Sequence, residues 1–343
     1  MHAHGGNRLQ RSPAHAGPLR MWERVTIALL FVLVAGVVVA LSLPRGHEHP
    51  GKPQASGVRV SKMQASGRTG QAGSRSALAD GWGSAVLTGP DSIRFRYTAE
   101  GNGRLAAALA PVLRRRTGVL AAGVVDASTG AVAAFKGSRL VQTASIVKAD
   151  ILAALLFEHQ QTGTPLTQQQ QALAAQMMED SSDQAASELW TQIGEANGLN
   201  YANEELGLKQ TKPGSGALWG LTSTTVDDQL RLLADLASSN SPLWAESRSY
   251  ELGLMRHVAA DQAWGVTAAG APGTSPAVKD GWLPDGSEIR WVINSIGVIT
   301  RDGQEILVAI LSTDQPSESA GVARVDAAAK DAVSAITESR PRA

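Results

Sequence analysis

Strand-like sequence lies at both ends of the folded part of this chain, and the long stretch between is helical. Residues 103–116 place Leu105, Leu109, Val112 and Leu113 at helical spacing. Residues 118–125 are a run of small and β-branched side chains, Asp126 to Gly130 supplies a turn, and 131–135 returns as a second strand. Residues 146–157 make a strongly apolar helix, which ends before Gly163 and Pro165. Two helical stretches fill 166–190 with Ser182 between them, and helices continue through 224–236 and 244–257. The pattern then reverts to strand over 277–282, 290–299 and 305–312, with a turn at Asp302-Gly303, before 322–336 closes as an amphipathic helix. Strands from the two ends can share one antiparallel sheet, with the last helix beside the first and the helical block as a second lobe. The expected fold class is α/β in the α+β sense: an antiparallel sheet flanked by helices plus an all-helical lobe. A cleft between sheet and lobe is a natural ligand site.

Structure is expected from about Ser92, giving a domain over 92–338 and a short tail over 339–343. Ahead of it, residues 44–91 are rich in Gly, Ser, Gln and Arg and carry too few apolar side chains to bury a core, so they read as a flexible linker. Its positive charge suits either plain solvation or contact with anionic headgroups and wall polymers. Residues 25–43 contain no charged side chain and as a helix would span about 28 Å, close to the hydrocarbon thickness. One transmembrane helix over 22–43 is therefore expected to precede the fold, after a polar tail over 1–21 on the cytoplasmic side. Ala40-Leu41-Ser42 would also pass as a cleavage site, but the leading segment and apolar run are long for a signal peptide, which favours a retained single-pass anchor. Arginines and lysines flank both sides of the span; the short leading tail and large following domain favour an inside N-terminus and an extracytoplasmic domain.

The formal charge is zero, which argues against nucleic acid as a partner. There is no Cys, which excludes disulfides, thiol catalysis, a lipoprotein cysteine and a Cys-based zinc site. His47-Glu48-His49 is too short to make a metal site, and His159 and His257 sit at helix ends, where they suit the dipole better than base chemistry. No metal or organic cofactor is implied.

Ser145-Ile-Val-Lys148 opens the apolar helix, and it is the only Lys in the chain with a Ser three positions before it. That spacing puts both side chains on one face, so the amine can take the serine proton and activate a nucleophile without histidine. Ser182-Asp183-Gln184 and Lys279-Asp280-Gly281 follow. Ser182 could relay a proton to a leaving amine, Gln184 could bond a substrate amide, and Lys279 could hold the Ser182 hydroxyl or a substrate carboxylate. The N–H of Ser145, at the positive end of its helix, and that of Trp282 are candidate oxyanion donors. Singly, each segment has an ordinary reading: a helix cap, a second helix start, a strand edge ending in a turn. Their order on helix, helix and strand makes them one set, and the chemistry is acyl transfer through a Ser145 ester.

The set S-x-x-K, S-D-N and K-T-G is the signature of class A β-lactamases and penicillin-binding proteins. Over residues 103–336 the chain resembles that superfamily, most nearly the class A β-lactamase-like serine hydrolases. The hairpin VLAAGVVDASTGAVAAF, the segment Ser182-Asp-Gln-Ala-Ala186, the helix start Thr222-Ser-Thr-Thr225 and the strands over 291–312 carry the likeness beyond the motifs. The resemblance implies a β-lactamase/transpeptidase-like fold, with Ser145 as nucleophile, Lys148 as general base and Ser182 as proton shuttle. It implies Gln184 as a substrate contact and Lys279, Asp280, Gly281 and Trp282 as the substrate-binding strand. Peptide or cell-wall-type small molecules would be the substrates.

Three departures bear on activity. The family carries a glutamate in the loop between the second motif and the T-T helix, and it activates the deacylating water. The stretch 208–221 here (LKQTKPGSGALWGL) contains no acid, while Glu204 and Glu205 lie on the helix before it. An acyl-enzyme should then hydrolyse slowly, since a general base contributes ~10²–10⁴-fold. Asp280 replaces the hydroxyl of K-T-G and should repel a substrate carboxylate. Trp282 should narrow the pocket. A poor β-lactamase is expected, with a catalytically inactive module that binds wall fragments or a protein partner as the alternative.

Overall fold

The computed structural model describes residues 81–87, 93–114, 118–286 and 290–338, all within one compact unit, Gly70–Ala343. The expected membrane span, the tail before it and the first part of the linker lie outside these residues. Among the described residues no helix is long and apolar enough to cross a membrane.

Seven antiparallel strands form the main sheet: β1 (Gly83–Leu87), β2 (Ile93–Arg96), β3 (Val119–Asp126), β4 (Ala131–Phe135), and, after the helical block, β7 (Ala277–Asp285), β8 (Arg290–Arg301) and β9 (Gln304–Gln315). Their order across the sheet is β2-β1-β4-β3-β9-β8-β7. The two ends of the sequence meet where β3 pairs with β9, from Val119 opposite Thr313 to Asp126 opposite Ile306. A two-stranded ribbon, β5 (Val141–Gln142) with β6 (Ser223–Thr224), stands apart from it.

Alternation along the strands builds two cores. Ala121, Val125, Leu307, Ala309 and Leu311 face the helical lobe. Leu120, Ala122, Val124, Ile306, Val308 and Ile310 face the opposite side. There they meet α1 (Ala99–Ala108) through Leu105 and the closing helix through Val325, Ala328 and Ala332. The lobe contains α2 (Val147–Thr162), α3 (Gln168–Glu179), α4 (Asp183–Gln192), α5 (Glu195–Leu206), α6 (Val226–Ala237) and α7 (Ala245–Arg256). The closing helix is α8 (Glu318–Glu338). Helix α2 is buried on nearly every face, including Lys148 and Asp150 in its first turn. A helix buried on nearly every face sits at the centre of its lobe.

The sheet begins inside the segment that composition assigned to the linker. Trp82 is buried, and Gly83 and Ser84 pair with Val132 and Ala131, so the ordered domain starts before Ser92. A five-residue strand following a long polar run is too short to shift the composition of a window. Helix α1 also starts earlier than its apolar spacing suggested, at Ala99, where the Thr98 hydroxyl accepts from the Gly101 N–H.

Candidate active site

A short 3₁₀ turn, Ala144–Ile146, carries Ser145 into α2. Ala144 has φ 48°, a left-handed backbone that a residue with a Cβ adopts only when its surroundings enforce it. The enforcement comes from β8: Asn294 Nδ2 donates to Gln142 O at 2.7 Å and to Thr143 O at 2.9 Å, and Asn294 is itself fully buried. On the other side the Thr143 N–H donates to Thr222 O at 2.7 Å. The turn packs directly on β7. A Cβ at Gly281 would lie 2.7 Å from the backbone nitrogens of both Ser145 and Ile146, so only glycine lets the Ser145 turn seat there.

Lys148 sits one helical turn on, fully buried. Its Nζ lies 3.0 Å from Ser145 Oγ, 2.7 Å from Ser181 O, 3.1 Å from Ser181 Oγ and 2.7 Å from Asp183 Oδ1. Burial pushes its pKa below that of an ordinary lysine, against the opposing pull of the Asp183 carboxylate. The Trp219 ring lies over the amine, 5.0 Å from its centroid. Lys279, on β7, donates to Ser181 Oγ at 3.0 Å and to Asp280 O at 3.0 Å. Burial, and then the neighbouring charge of Lys148, push its pKa down too.

The hydroxyl that joins the two lysines is therefore that of Ser181, not Ser182. Ser182 is the N-cap of α4, its oxygen accepting from the Ala185 N–H at 3.3 Å. Ser181 precedes the helix with φ 54°, a second left-handed residue at the site, and this turns its side chain back toward Lys148 and Lys279. The motif is shifted by one: Ser181-Ser182-Asp183 occupies it, and the third place is held by Asp183. Gln184 points away, exposed, and donates to Glu188 at 3.2 Å along the helix.

The two departures expected on β7 are also relocated. Ala277, Lys279, Gly281 and Leu283 face the lobe, so the period of two sends Val278, Asp280 and Trp282 to the other face. Asp280 Oδ2 accepts from the Trp264 N–H at 3.1 Å beneath the sheet, and burial raises its pKa well above the carboxylate range. It neither enters the cleft nor repels a ligand there. The Trp282 ring meets Trp264 edge-on at 6.2 Å, away from Ser145, and does not narrow the site.

The loop over 208–221 is fastened to α4. Trp190 Nε1 donates to Gly216 O at 2.8 Å and Trp219 Nε1 to Ser187 Oγ at 3.1 Å. It presents Trp219 to the lysine where the family resemblance placed an acid. Glu204 and Glu205 are exposed on α5.

A family model described as the beta-lactamase enzyme family matches residues 160–337, just over half of the chain. The chain belongs to the beta-lactamase enzyme family. The matched span holds Ser181, Asp183 and Lys279 and begins after Ser145 and Lys148. Class A β-lactamases share the fold: one from Bacteroides cellulosilyticus superposes with TM-score 0.61 at 13% identity, over 69% of this chain and 98% of that one. A β-lactamase from Xanthomonas campestris gives 0.60 at 19% identity, over 68% and 98%. The structure of PBP-A gives 0.60 at 18%, over 69% and 96%. Among curated proteins, a mycobacterial protein named as a lipoprotein, LppW of Mycobacterium tuberculosis and Mycobacterium bovis, is 25% identical over 221 residues. That match covers 59% of this chain and 65% of the relative, just under two thirds of its length.

Proposed function

We propose that this beta-lactamase-family protein is a serine acyl-transfer enzyme acting on amide, peptide or β-lactam-like substrates, and a poor β-lactamase. The observation that carries it is the unbroken run of contacts Ser145–Lys148–Ser181–Lys279, each at 3.0 or 3.1 Å. A neutral Lys148 amine has two N–H groups, which Ser181 O and Asp183 Oδ1 receive, and its lone pair then faces Ser145 Oγ. Burial favours that neutral form. Ser145 attacks the carbonyl as its proton passes to Lys148, and the N–H groups of Ser145 and Trp282 receive the oxyanion. The proton then moves through Ser181, polarised by Lys279, to the leaving amine. Hydrolysis of the ester lacks the loop acid, and Trp219 covers that side of the lysine.

Residues 25–43 are the natural anchor, with the catalytic domain outside the membrane. The lipoprotein relative supports membrane association, and a chain without Cys has no residue to take a lipoprotein's thioether lipid. Intact-mass spectrometry of the full chain with benzylpenicillin tests the reading. A persistent adduct that Ser145→Ala abolishes supports it. An adduct in both proteins, or in neither, favours a catalytically inactive β-lactamase-fold module.

A further inference from the structure

Asp183 is the one feature of the cluster that acylation alone leaves half used. Its Oδ1 bonds Lys148, and its Oδ2 takes no hydrogen bond among the described residues. The side chain is 64% exposed while that of Lys148 is fully buried, so the carboxylate is open to solvent beside the buried amine. Because Lys148 Nζ touches both Ser145 Oγ and Asp183 Oδ1, the carboxylate is no farther from the nucleophile than those two contacts end to end.

The two lysines at the site are not available to an anion from solvent. Lys148 and Lys279 are buried and already bonded to Ser181, so neither presents a free cation to solvent. The residue after Lys279 offers no hydroxyl for a carboxylate, because Asp280 is turned beneath the sheet. An amide at position 183 could donate or accept, whereas a carboxylate only accepts and repels another anion. We propose that Asp183 is the specificity-determining residue of the site and that the acyl donor carries an ammonium group beside its scissile carbonyl. This rests on the reading of Ser145 as nucleophile.

The p-nitrophenyl esters of glycine, acetic acid and succinic acid present a cation, a neutral methyl group and an anion next to the same chemistry. In each, Ser145 Oγ forms the new ester, p-nitrophenolate leaves, and the serine proton goes to Lys148. Acylation rates are read from the nitrophenolate burst and the adduct mass, using the full chain, Asp183→Asn and Asp183→Glu, with Ser145→Ala as blank. The ratio of glycine ester to acetate ester, which cancels intrinsic reactivity, should fall about fivefold in Asp183→Asn, the scale of an exposed ion pair. The succinate ester should gain relative to acetate, and Asp183→Glu should keep the wild-type order. Equal loss on all three esters would mean that Asp183 only positions Lys148, and unchanged ratios would mean no role in selection; either overturns the proposal. No Ser145-dependent adduct with any ester overturns the acyl-transfer reading and the proposal with it.

Discussion

Ser181 Oγ accepts from Lys279 Nζ at 3.0 Å across the cleft, joining the helical lobe to the sheet. With Lys148 on its other side at 3.1 Å, it is the only hydroxyl among the described residues bonded to both lysines. Ser181→Ala should therefore lower the Ser145 acylation rate by ~10²–10⁴-fold, as the loss of a proton-transfer group does. Ser182→Ala should leave that rate nearly intact and instead cost about 1 kcal/mol of stability, the value of a helix cap. Stopped-flow acylation and thermal unfolding of both variants separate the roles. Equal activity loss in the two would return Ser182 to the site.

Gly281 and Ser145 are in backbone contact, and that contact sets the position of the turn that carries Ser145. Gly281→Ala forces a methyl group to within 2.7 Å of two backbone nitrogens, neither of which belongs to a flexible side chain that could swing aside. Overpacking of this kind costs about 1–3 kcal/mol. The expected outcome is a lower melting temperature together with loss of Ser145 acylation, because relief requires the turn to lift off β7. A variant with full acylation would show that the turn tolerates that displacement.

The architecture was legible because it follows from the order of strand-like and helix-like segments, and the antiparallel sheet with its helical lobe needs little else. The site was less so. Ser181 and Ser182 are chemically identical neighbours, and spacing alone does not say which begins the motif. One signal was present: a Ser followed by Asp and a helical run is an N-cap, which assigns Ser182 to the helix and leaves Ser181 free. Strand alternation likewise puts Asp280 and Trp282 on the face opposite Lys279, so their removal from the cleft follows once Lys279 is fixed there. Asn294 and Trp219 had no such signal. One is a polar residue within a β-run and the other an aromatic in an aperiodic loop, and only the folded chain brings the first to the backbone just before Ser145 and the second over Lys148.

Buried acids in the helical lobe set a pH dependence of stability separate from catalysis. Asp235 is buried, neither carboxylate oxygen takes a hydrogen bond among the described residues, and desolvation raises its pKa to about 7, against the pull of Arg231. Asp150 is likewise raised to about 7, and Glu251 beside it is pushed well above its ordinary range. An acid whose folded pKa lies above its unfolded value contributes stability that is complete below the unfolded pKa and is lost as pH rises through the folded one. The window here runs from about pH 4 to about pH 7, with a slope of up to about 1.4 kcal/mol per pH unit for each group. Asp235→Asn should flatten the fall in unfolding free energy across that window, measured by urea titration at several pH values. An unchanged slope would mean that Asp235 is ionised in the native protein.

Trp219 offers the sharpest test of the base role proposed for Lys148. Desolvation is the largest influence on that amine, and the Trp219 ring, 9% exposed and 5.0 Å away, forms the cover on the loop side. Replacing the ring by alanine admits water to the ammonium, which stabilises the charged form and raises the pKa toward the ordinary lysine value. Since only the neutral amine accepts the serine proton, the acylation rate rises with pH through this pKa, and the profile of Trp219→Ala should move to higher pH. Below both pKa values each unit of displacement lowers the rate about tenfold. The variant should also lose about 3 kcal/mol of stability from the missing side chain. Acylation is therefore measured across pH on protein shown to be folded by its near-ultraviolet circular dichroism. A profile that keeps its midpoint while its plateau drops would assign Trp219 to packing and leave the depressed Lys148 pKa to burial in α2 alone.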